Sequence, residues 1–351
     1  MFLKKLELTN FRNYTNLSLD FDQRPTILVG NNAVGKSNLL EAIYLLSISK
    51  SLRVDIEDEL IKEGEEFARV EGFLADPETE LLVLINRPTD EVTFRKKIMV
   101  NGISKRTVDF IGNLPAVIFY PSDINMVTGT PSLRRWHLDL SLAQVDTQYK
   151  KSLTLYEQIL TNRNRVLKRI REGQSQVDEL KFWTDELVEK GKEISDKRLE
   201  FFQFINQLEK PLGEFKFEYK QSLITVERLN ETNGREVAAA ATLIGPHRDD
   251  FEVLLDGRNM AHFGSRGEQR TATLAFKLSQ LEYMAKILGK RPILLLDDVF
   301  SELDASHRAH VVEIVNKQQT IIATVELENI PKQFLDSARI LRIEDGKIKE
   351  D

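Results

Sequence analysis

The 351 residues contain no cysteine, five histidines and two tryptophans. Without cysteine there is no disulfide, no thiolate zinc site and no cysteine nucleophile, and scattered histidines leave no histidine-rich metal cluster. No apolar run reaches the roughly 18 residues of a membrane span. Nor is the start signal-like, since Met1-Phe2-Leu3 runs into Lys4-Lys5 and an alternating strand pattern. The expectation is a soluble cytoplasmic protein with no membrane partner. An excess of positive charge is missing too: the formal net charge is −6, so any nucleic-acid contact must come from a local patch. There is no internal repeat and no low-complexity tract. What the chain has is length and apolar content, 41% hydrophobic, enough for one large core plus a second body.

The run Gly30-Asn31-Asn32-Ala33-Val34-Gly35-Lys36-Ser37 spells GxxxxGKS and follows the apolar stretch Thr26-Ile27-Leu28-Val29. Glycines let such a loop curl until backbone N–H groups converge on phosphates; Lys36 would reach the outer phosphates and the Ser37 hydroxyl would ligate Mg2+. Leu39, Leu40, Ile43 and Leu46 follow at helical spacing, predicting an amphipathic helix whose positive end faces the same anion. The plainer alternative is a glycine-rich turn. The pattern points to ATP or a similar triphosphate, with Mg2+ beside it.

Leu6 and Leu8, then Leu17, Leu19 and Phe21, alternate with polar residues around Asn13-Tyr14-Thr15-Asn16. That predicts an antiparallel hairpin feeding the phosphate-loop strand. Residues 67–100 read as a small antiparallel sheet broken at Asp76-Pro77 and Arg87-Pro88-Thr89-Asp90, then at Asn101-Gly102, and Ala116-Val117-Ile118-Phe119 as a buried strand. From 149 to about 208 proline is absent and apolar residues return every three or four positions. Tyr149, Leu153, Tyr156, Leu160, Leu167 and Ile170 form one stripe; Leu180, Trp183, Leu187, Ile194, Phe201, Ile205 and Leu208 form another. The break at Glu172-Gly173-Gln174 makes this an antiparallel helical hairpin, a short coiled-coil-like arm inserted between two halves of a head. Strand texture resumes near Phe215. A strand over 251–255, a helix over about 267–288, a strand over 292–296, a helix near 306–316 and a strand over 320–323 complete an α/β half. The expected domains are residues 1–130, 131–240 for the arm, and 241–351.

Ile293-Leu294-Leu295-Leu296-Asp297-Asp298 reads as a buried strand ending in two carboxylates, the form of a Walker B segment. Asp297 would hold Mg2+ through its water shell, and Asp298 would orient or deprotonate the attacking water. Alone, an apolar strand ending in Asp-Asp is also an ordinary strand terminus; Ser301-Glu302-Leu303-Asp304 just after it favours the functional reading. Upstream, Ser265-Arg266-Gly267-Glu268 opens a helix in the form of an ABC signature loop, where a serine hydroxyl and helix N-terminal amides face a γ-phosphate. The alternative is a plain N-capped helix. Phosphate loop, signature, Walker B and Ser-x-Leu-Asp in this order specify an ABC-type ATPase head, in which the signature completes the site of a second subunit.

These residues together resemble the RecF family of SMC-like recombination-repair ATPases over essentially the whole chain. The carriers are Asn10-Phe11-Arg12-Asn13-Tyr14, the phosphate loop, Arg134-Arg135 with Leu138-Asp139, Gly245-Pro246-His247-Arg248-Asp249-Asp250, the Ser265-Arg266-Gly267 signature, and Leu296-Asp297-Asp298 with Ser301-Glu302-Leu303-Asp304. The resemblance implies an α/β fold: an ABC-type head with an antiparallel β-subdomain and an inserted helical arm. It further implies an ATP-dependent homodimer that binds duplex DNA, single-strand gaps or single-strand/double-strand junctions. With RecR and RecO, such a protein promotes loading of RecA in replication, recombinational repair and the SOS response. Arg12 is similar to the N-terminal arginine that SMC-like heads aim at the nucleotide, the alternative being a solvated hairpin arginine. The Gly245–Asp250 run has no role that the sequence alone assigns and reads as a turn between strands.

Three departures from the general ABC pattern point to slow turnover. The second Walker B acid is Asp298, one methylene shorter than glutamate. No histidine follows the strand ending Ala323-Thr324-Val325, leaving Thr324 as a hydrogen-bonding sensor that cannot act as an acid or base. The sequence places no convincing Q-loop glutamine; Gln144, close to the arm, fits weakly. Arg163, Arg165, Lys168, Arg169 and Arg171, with no acidic residue among them, form a candidate DNA-phosphate patch near the end of the arm's first helix. A solvated helix face is the alternative. Arg134 and Arg135 are further candidates for DNA or the dimer partner, or could pair with Asp139. Without interleaved aromatics, binding would be salt-sensitive and indifferent to sequence. Two other functions share some of these motifs. A transporter ATPase subunit is disfavoured because roughly 230 residues separate Lys36 from the signature, and a small-molecule kinase leaves signature and Ser-x-Leu-Asp unexplained.

Overall fold

A computed structural model describes residues 2–88, 94–344 and 346–350; Met1 and the Thr89-Asp90 half of one expected break lie outside them. The chain divides into two compact units, residues 1–123 with 273–351, and residues 124–272. The division cuts the helix Arg266–Leu288 after Ala272. The second unit thus takes in the Gly245–Asp250 run and the signature loop as well as the arm drawn from the sequence. Among the described residues no helix is long and apolar enough to cross a membrane.

The first unit holds two six-stranded sheets. One is antiparallel throughout, in the spatial order Tyr14–Asp20, Phe2–Phe11, Phe67–Ala75, Thr79–Asn86, Lys96–Val100, Ile103–Ser104. In its first hairpin Leu6 faces Leu19 and Leu8 faces Leu17. The turn is Arg12-Asn13, with Arg12 left-handed at φ 54°. This is tighter than the four-residue turn expected, because Tyr14 is buried and already pairs with Phe11. The other sheet runs Lys347–Glu350, Arg339–Glu344, Thr26–Val29, Thr320–Thr324, Ile293–Asp297, Ala116–Phe119. Its last five strands are parallel. The middle ones are buried at every position, which is why they read as unbroken apolar runs.

Between the sheets lies the helix Lys36–Ile48. It touches Ile293–Asp297 and Thr320–Thr324 of one sheet and Phe67–Ala75 and Thr79–Asn86 of the other. Its expected polar face does not exist: Ala42, Tyr44 and Leu45 are buried along with Leu39, Leu40, Ile43 and Leu46. A helix covered on both sides cannot be amphipathic. At Gly72 the covering strand comes so close that a Cβ would lie 2.6 Å from a Leu46 methyl.

The second unit contains the expected helical hairpin, Thr147–Arg171 and Leu180–Gln207. Asp146 caps the first helix by accepting from the Tyr149 N–H at 2.9 Å, and Gly173 at φ 70° ends it. Tyr149, Tyr156, Ile159 and Leu167 on the first helix and Leu187, Ile194, Phe201 and Ile205 on the second are buried, the two helices packing on each other. Two helices that the sequence did not delimit, Pro131–Val145 and Val226–Ala239, pack against the hairpin. So does a three-stranded antiparallel sheet of Phe215–Lys220, Asp250–Leu255 and Arg258–Asn259. Phe202 stacks on Tyr219 with ring centroids 5.0 Å apart. The arm is therefore the spine of a lobe with its own core.

Candidate functional site

In the parallel sheet Val29 is in register with Thr324, and Ala323 with Asp297. The phosphate loop, Val325 and the Asp297-Asp298 pair consequently leave the strands at one end, the carboxyl end, where open α/β sheets hold their ligands. Together with Lys36, Ser37, Asn38, Arg53 and Pro121 they line a cavity of about 260 Å3. Ser37 Oγ donates to Asp297 Oδ1 at 3.0 Å. Lys36 Nζ donates to Gly30 O at 2.8 Å and Asn31 O at 2.7 Å, folding the ammonium back over its own loop. Burial lowers the pKa of Lys36, against the pull of Asp297 and Asp298. Burial raises that of Asp297, against the bond from Ser37.

Both glycines of the loop are required by contact. Gly35 sits at φ 117°, and a Cβ there would lie 2.6 Å from Asn13 Nδ2 and from the Tyr14 hydroxyl; at Gly30 it would run into Ile343 O. The hairpin turn presses on the loop: Asn13 Nδ2 donates to Val34 O at 3.0 Å and the Tyr14 hydroxyl to Gly35 O at 3.1 Å. Left-handed Ala33 at φ 66° adds to the curl, of the kind that gathers N–H groups round an anion. Asn32, Ala33 and Gly35 face the cavity, whereas Gly30, Asn31 and Val34 line a separate depression with Arg342 and Ile343.

Asp298 is left-handed at φ 52°, a costly conformation for a residue with a side chain. It is pinned on both sides, its N–H donating to Ala323 O at 2.9 Å and its carbonyl accepting from Ser301 Oγ at 2.8 Å. Asp304 caps the helix Ala305–Val315 by accepting from the His307 N–H at 2.9 Å and the Ser306 hydroxyl at 2.8 Å. These bonds hold its exposed carboxyl below the usual range.

Two residues expected at the nucleotide do not line this cavity. The Arg12 guanidinium does not line the cavity; it forks onto buried Glu41 through bonds of 2.9 and 2.8 Å and donates to Glu59 O at 3.0 Å. Thr324 is buried and its hydroxyl donates to Glu326 O at 3.0 Å, leaving Val325 to face the cavity. The arginine that does line the cavity is Arg53, held by Asn38 Oδ1 at 2.8 Å and Glu41 Oε2 at 3.2 Å. It stands alone in an irregular stretch, so no local pattern marks it. Gln144 is buried in the second unit, donating to Leu140 O.

The signature residues lie in the second unit. Ser265 and Glu268 cap one another: the Ser265 N–H donates to Glu268 Oε2 at 2.7 Å and the Glu268 N–H to Ser265 Oγ at 3.3 Å, a capping box. Ser265, Arg266 and Gly267 are exposed, and among the described residues a Cβ on Gly267 would meet nothing within 4 Å beyond its chain neighbours and its own helix backbone. The helix end is open.

Of the expected DNA residues, Arg163 is wrongly read: it is 1% exposed and pairs with Glu236 at 2.7 Å. Arg134 is buried as well, forked onto Asp250 at 2.6 and 2.9 Å. Arg163 cannot reach a phosphodiester without abandoning buried Glu236, nor Arg134 without giving up its fork on Asp250. Arg165, Lys168, Arg169 and Arg171 are exposed. Lys168 and Arg169 make only solvent-exposed pairs with Glu172 and Glu179, which screen little and hold weakly. Arg135 is half-buried and donates to Asp249 O at 2.6 Å; Asp139 pairs with Arg198 rather than with either of these arginines.

The chain is similar to known proteins over its whole length. The sequence model described as RecF/RecN/SMC N terminal domain matches residues 2–347. A DNA replication and repair protein RecF of Ligilactobacillus salivarius (strain UCC118) is 36% identical, covering 100% of this chain and 98% of its own. One of Bacillus cereus (strain G9842) is 34% identical over 99% and 98%. Among solved structures, that of the recombination mediator protein RecF-ATP in the RecFOR pathway superposes with a TM-score of 0.87 at 30% identity, covering 100% of this chain and 97% of that one. The Smc head domain of Pyrococcus furiosus, at TM-score 0.56 and 16% identity, shares the fold. With a phosphate loop and paired aspartates at one sheet end, and similarity that runs from the first strand to the last, the chain belongs to the RecF family.

Proposed function

We propose that the chain is an ATP-switched DNA-binding repair protein that pairs with a second copy of itself when nucleotide is bound. The observation that carries this is the convergence of Lys36, Ser37, Asp297 and Asp298 on one cavity, in a chain whose full-length relatives are DNA replication and repair proteins. Lys36 neutralises the outer phosphates, and the loop N–H groups with the end of the helix Lys36–Ile48 take the rest. Ser37 Oγ would ligate Mg2+ and Asp297, already 3.0 Å from that hydroxyl, would hold the metal through its water shell, hard oxygen donors that suit Mg2+. When bound, the metal would screen the phosphate charge. Asp298 orients the attacking water, and its short side chain keeps turnover slow. Ser265, Arg266, Gly267 and Asp304 meet the nucleotide of the second copy.

DNA at single-strand gaps, at single-strand/double-strand junctions or in duplex is gripped by Arg165, Lys168, Arg169 and Arg171. Two such patches in a dimer raise avidity without a new kind of contact. RecR and RecO act with this dimer to load RecA, in the cytoplasm. This reading is supported by the solved RecF-ATP structure that the chain resembles. Nothing in the comparisons favours a transporter subunit.

Sedimentation velocity tests it, on the wild type and Lys36→Met, with and without ATP and Mg2+ and with gapped duplex DNA. Nucleotide-dependent dimers that retain DNA, and that vanish in the variant, are expected. A monomer indifferent to both ligands overturns the reading.

A further inference from the structure

The run Gly245–Asp250 is not used by the nucleotide cavity, yet the second unit is assembled around it. Asp249 is 1% exposed. It accepts from Arg198 Nη1 at 2.8 Å, from the Ser222 N–H at 2.7 Å and from the Tyr219 hydroxyl. Arg198, equally buried, also donates to Pro246 O at 2.7 Å and to Asp139 Oδ1 at 2.7 Å, and the Tyr149 hydroxyl donates to Asp139 at 2.5 Å. Asp250 takes the fork of Arg134. Every carboxylate of the network is therefore matched by a buried arginine or by hydroxyl and amide donors.

Two arginines of the same cluster are left over. Arg135, half-buried, gives one N–H to Asp249 O. Arg248, exposed, gives one to Thr242 O at 3.2 Å. Among the described residues neither has a carboxylate within ion-pair distance. A main-chain carbonyl fixes a guanidinium without cancelling its charge, and each fork keeps most of its donors. Both anchors are rigid. Asp249 is locked as described; Thr242 is tied to the hairpin by Arg163 Nη1 at 2.7 Å and by Asn164 Oδ1 at 2.8 Å. Both charges lower the proton affinity of His247. The two arginines of the cluster that reach the surface are thus the two held by main-chain carbonyls rather than by a carboxylate.

We infer that Arg135 and Arg248 form a pre-organised phosphate-binding pair on the second unit, the Gly245–Asp250 run being the frame that holds them. A planar fork fixed at one N–H matches phosphate oxygens two at a time. The inference rests on the proposed function, which brings two sources of that chemistry to this unit: the DNA backbone and the nucleotide of a second copy.

Arg135→Gln, Arg248→Gln, the double variant and the double Arg→Lys variant of the full chain are compared with wild type in two assays. One is the salt dependence of binding to gapped duplex DNA by fluorescence anisotropy; the other is ATP-dependent dimerisation by sedimentation. If the pair grips DNA, the double Gln variant loses about 2 from the slope of log K against log salt and affinity on the order of tenfold at low salt. Lysines restore the slope but only part of the affinity. If it grips nucleotide across the dimer, dimerisation is lost while the DNA slope is unchanged. Arg248→Glu, at an exposed position, guards against a folding artefact and reproduces the dominant loss. Unchanged behaviour of the double variant in both assays overturns the inference while leaving the proposed function intact. A wild type that neither binds DNA nor dimerises overturns both.

Discussion

Lys277 Nζ stands 3.3 Å from Asp123 Oδ2, with only 5% and 6% of the two side chains exposed. The Tyr120 N–H donates to the same carboxylate at 3.0 Å, so Asp123 is a fixed acceptor inside the first unit, next to the cavity-lining Pro121. Buried pairs are poor sources of net stability, but removing one partner strands the other charge in a medium that cannot solvate it. Lys277→Met is expected to destabilise the first unit by about 3–5 kcal/mol. The double Lys277→Met/Asp123→Asn variant should recover a large part of that, since it leaves no lone charge and keeps an acceptor for Tyr120. Urea unfolding of the three proteins measures it; equal losses in the single and double variants contradict the account.

Arg163 and Arg165 are two residues apart and should behave oppositely. Arg163 pairs with Glu236 in the interior, and Glu236 also accepts from the Leu243 N–H at 2.8 Å. Arg163→Gln is expected to cost about 3–5 kcal/mol of stability and to lower DNA affinity only through unfolding. Arg165→Gln and Arg171→Gln, at exposed positions, should shift stability by less than about 0.5 kcal/mol and each reduce the DNA salt slope by about 1. Thermal melts beside anisotropy titrations separate the two behaviours.

That contrast shows where sequence reading stops. Basic residues within ten positions look alike in a local window, and which one is interior depends on helical phase and on Glu236, far along the chain. The strands Thr26–Val29, Ala116–Phe119 and Ile293–Asp297 were legible because burial on both faces leaves an unbroken apolar run. The helix after the phosphate loop was read with a polar face because its second cover, the antiparallel sheet, is a tertiary fact. Lys36, Ser37, Asp297 and Asp298 were legible because loop chemistry and strand ends are local. Arg53 was not, since it reaches the cavity through Asn38 and Glu41 on another element. The turn at Gly245–Asp250 proved to be a hub only once Arg198, Tyr149 and Tyr219 were seen to meet it.

His247 makes the second unit acid-sensitive. Its Nε2 faces Thr242 O at 3.1 Å and so carries the proton, leaving Nδ1 to accept from the Tyr156 hydroxyl at 2.7 Å. Burial first, then the nearby arginines, push its pKa down from 6.5 to about 4. Between those values the unfolded chain binds a proton that the folded one refuses, so stability is fully present above pH 6.5 and declines as pH falls toward 4. At about 1.4 kcal/mol per unit the loss is at most about 3 kcal/mol. His247→Gln should flatten the difference in urea midpoint between pH 7 and pH 4.5. The raised pKa of buried Asp249 has the opposite sign and cancels in the comparison of the two proteins.

The capping box at the signature lets its two roles be told apart. Ser265 and Glu268 satisfy each other's N–H groups, so removing either side chain uncaps the helix Arg266–Leu288 and should lower the melting temperature. For Ser265→Ala the cost is about 1 kcal/mol. Of these two side chains, in the proposed dimer the Ser265 hydroxyl faces the nucleotide of the second copy, while the Glu268 carboxylate serves the cap alone. Glu268→Ala should therefore retain ATP-dependent dimerisation once temperature is adjusted for its lower stability, and Ser265→Ala should lose it while still binding ATP as a monomer. Sedimentation and nucleotide titration of both variants decide the matter. Equal dimerisation by the two would reduce Ser265 to a helix cap; loss in both would mean that the order of the helix end, not the hydroxyl, is what the partner requires.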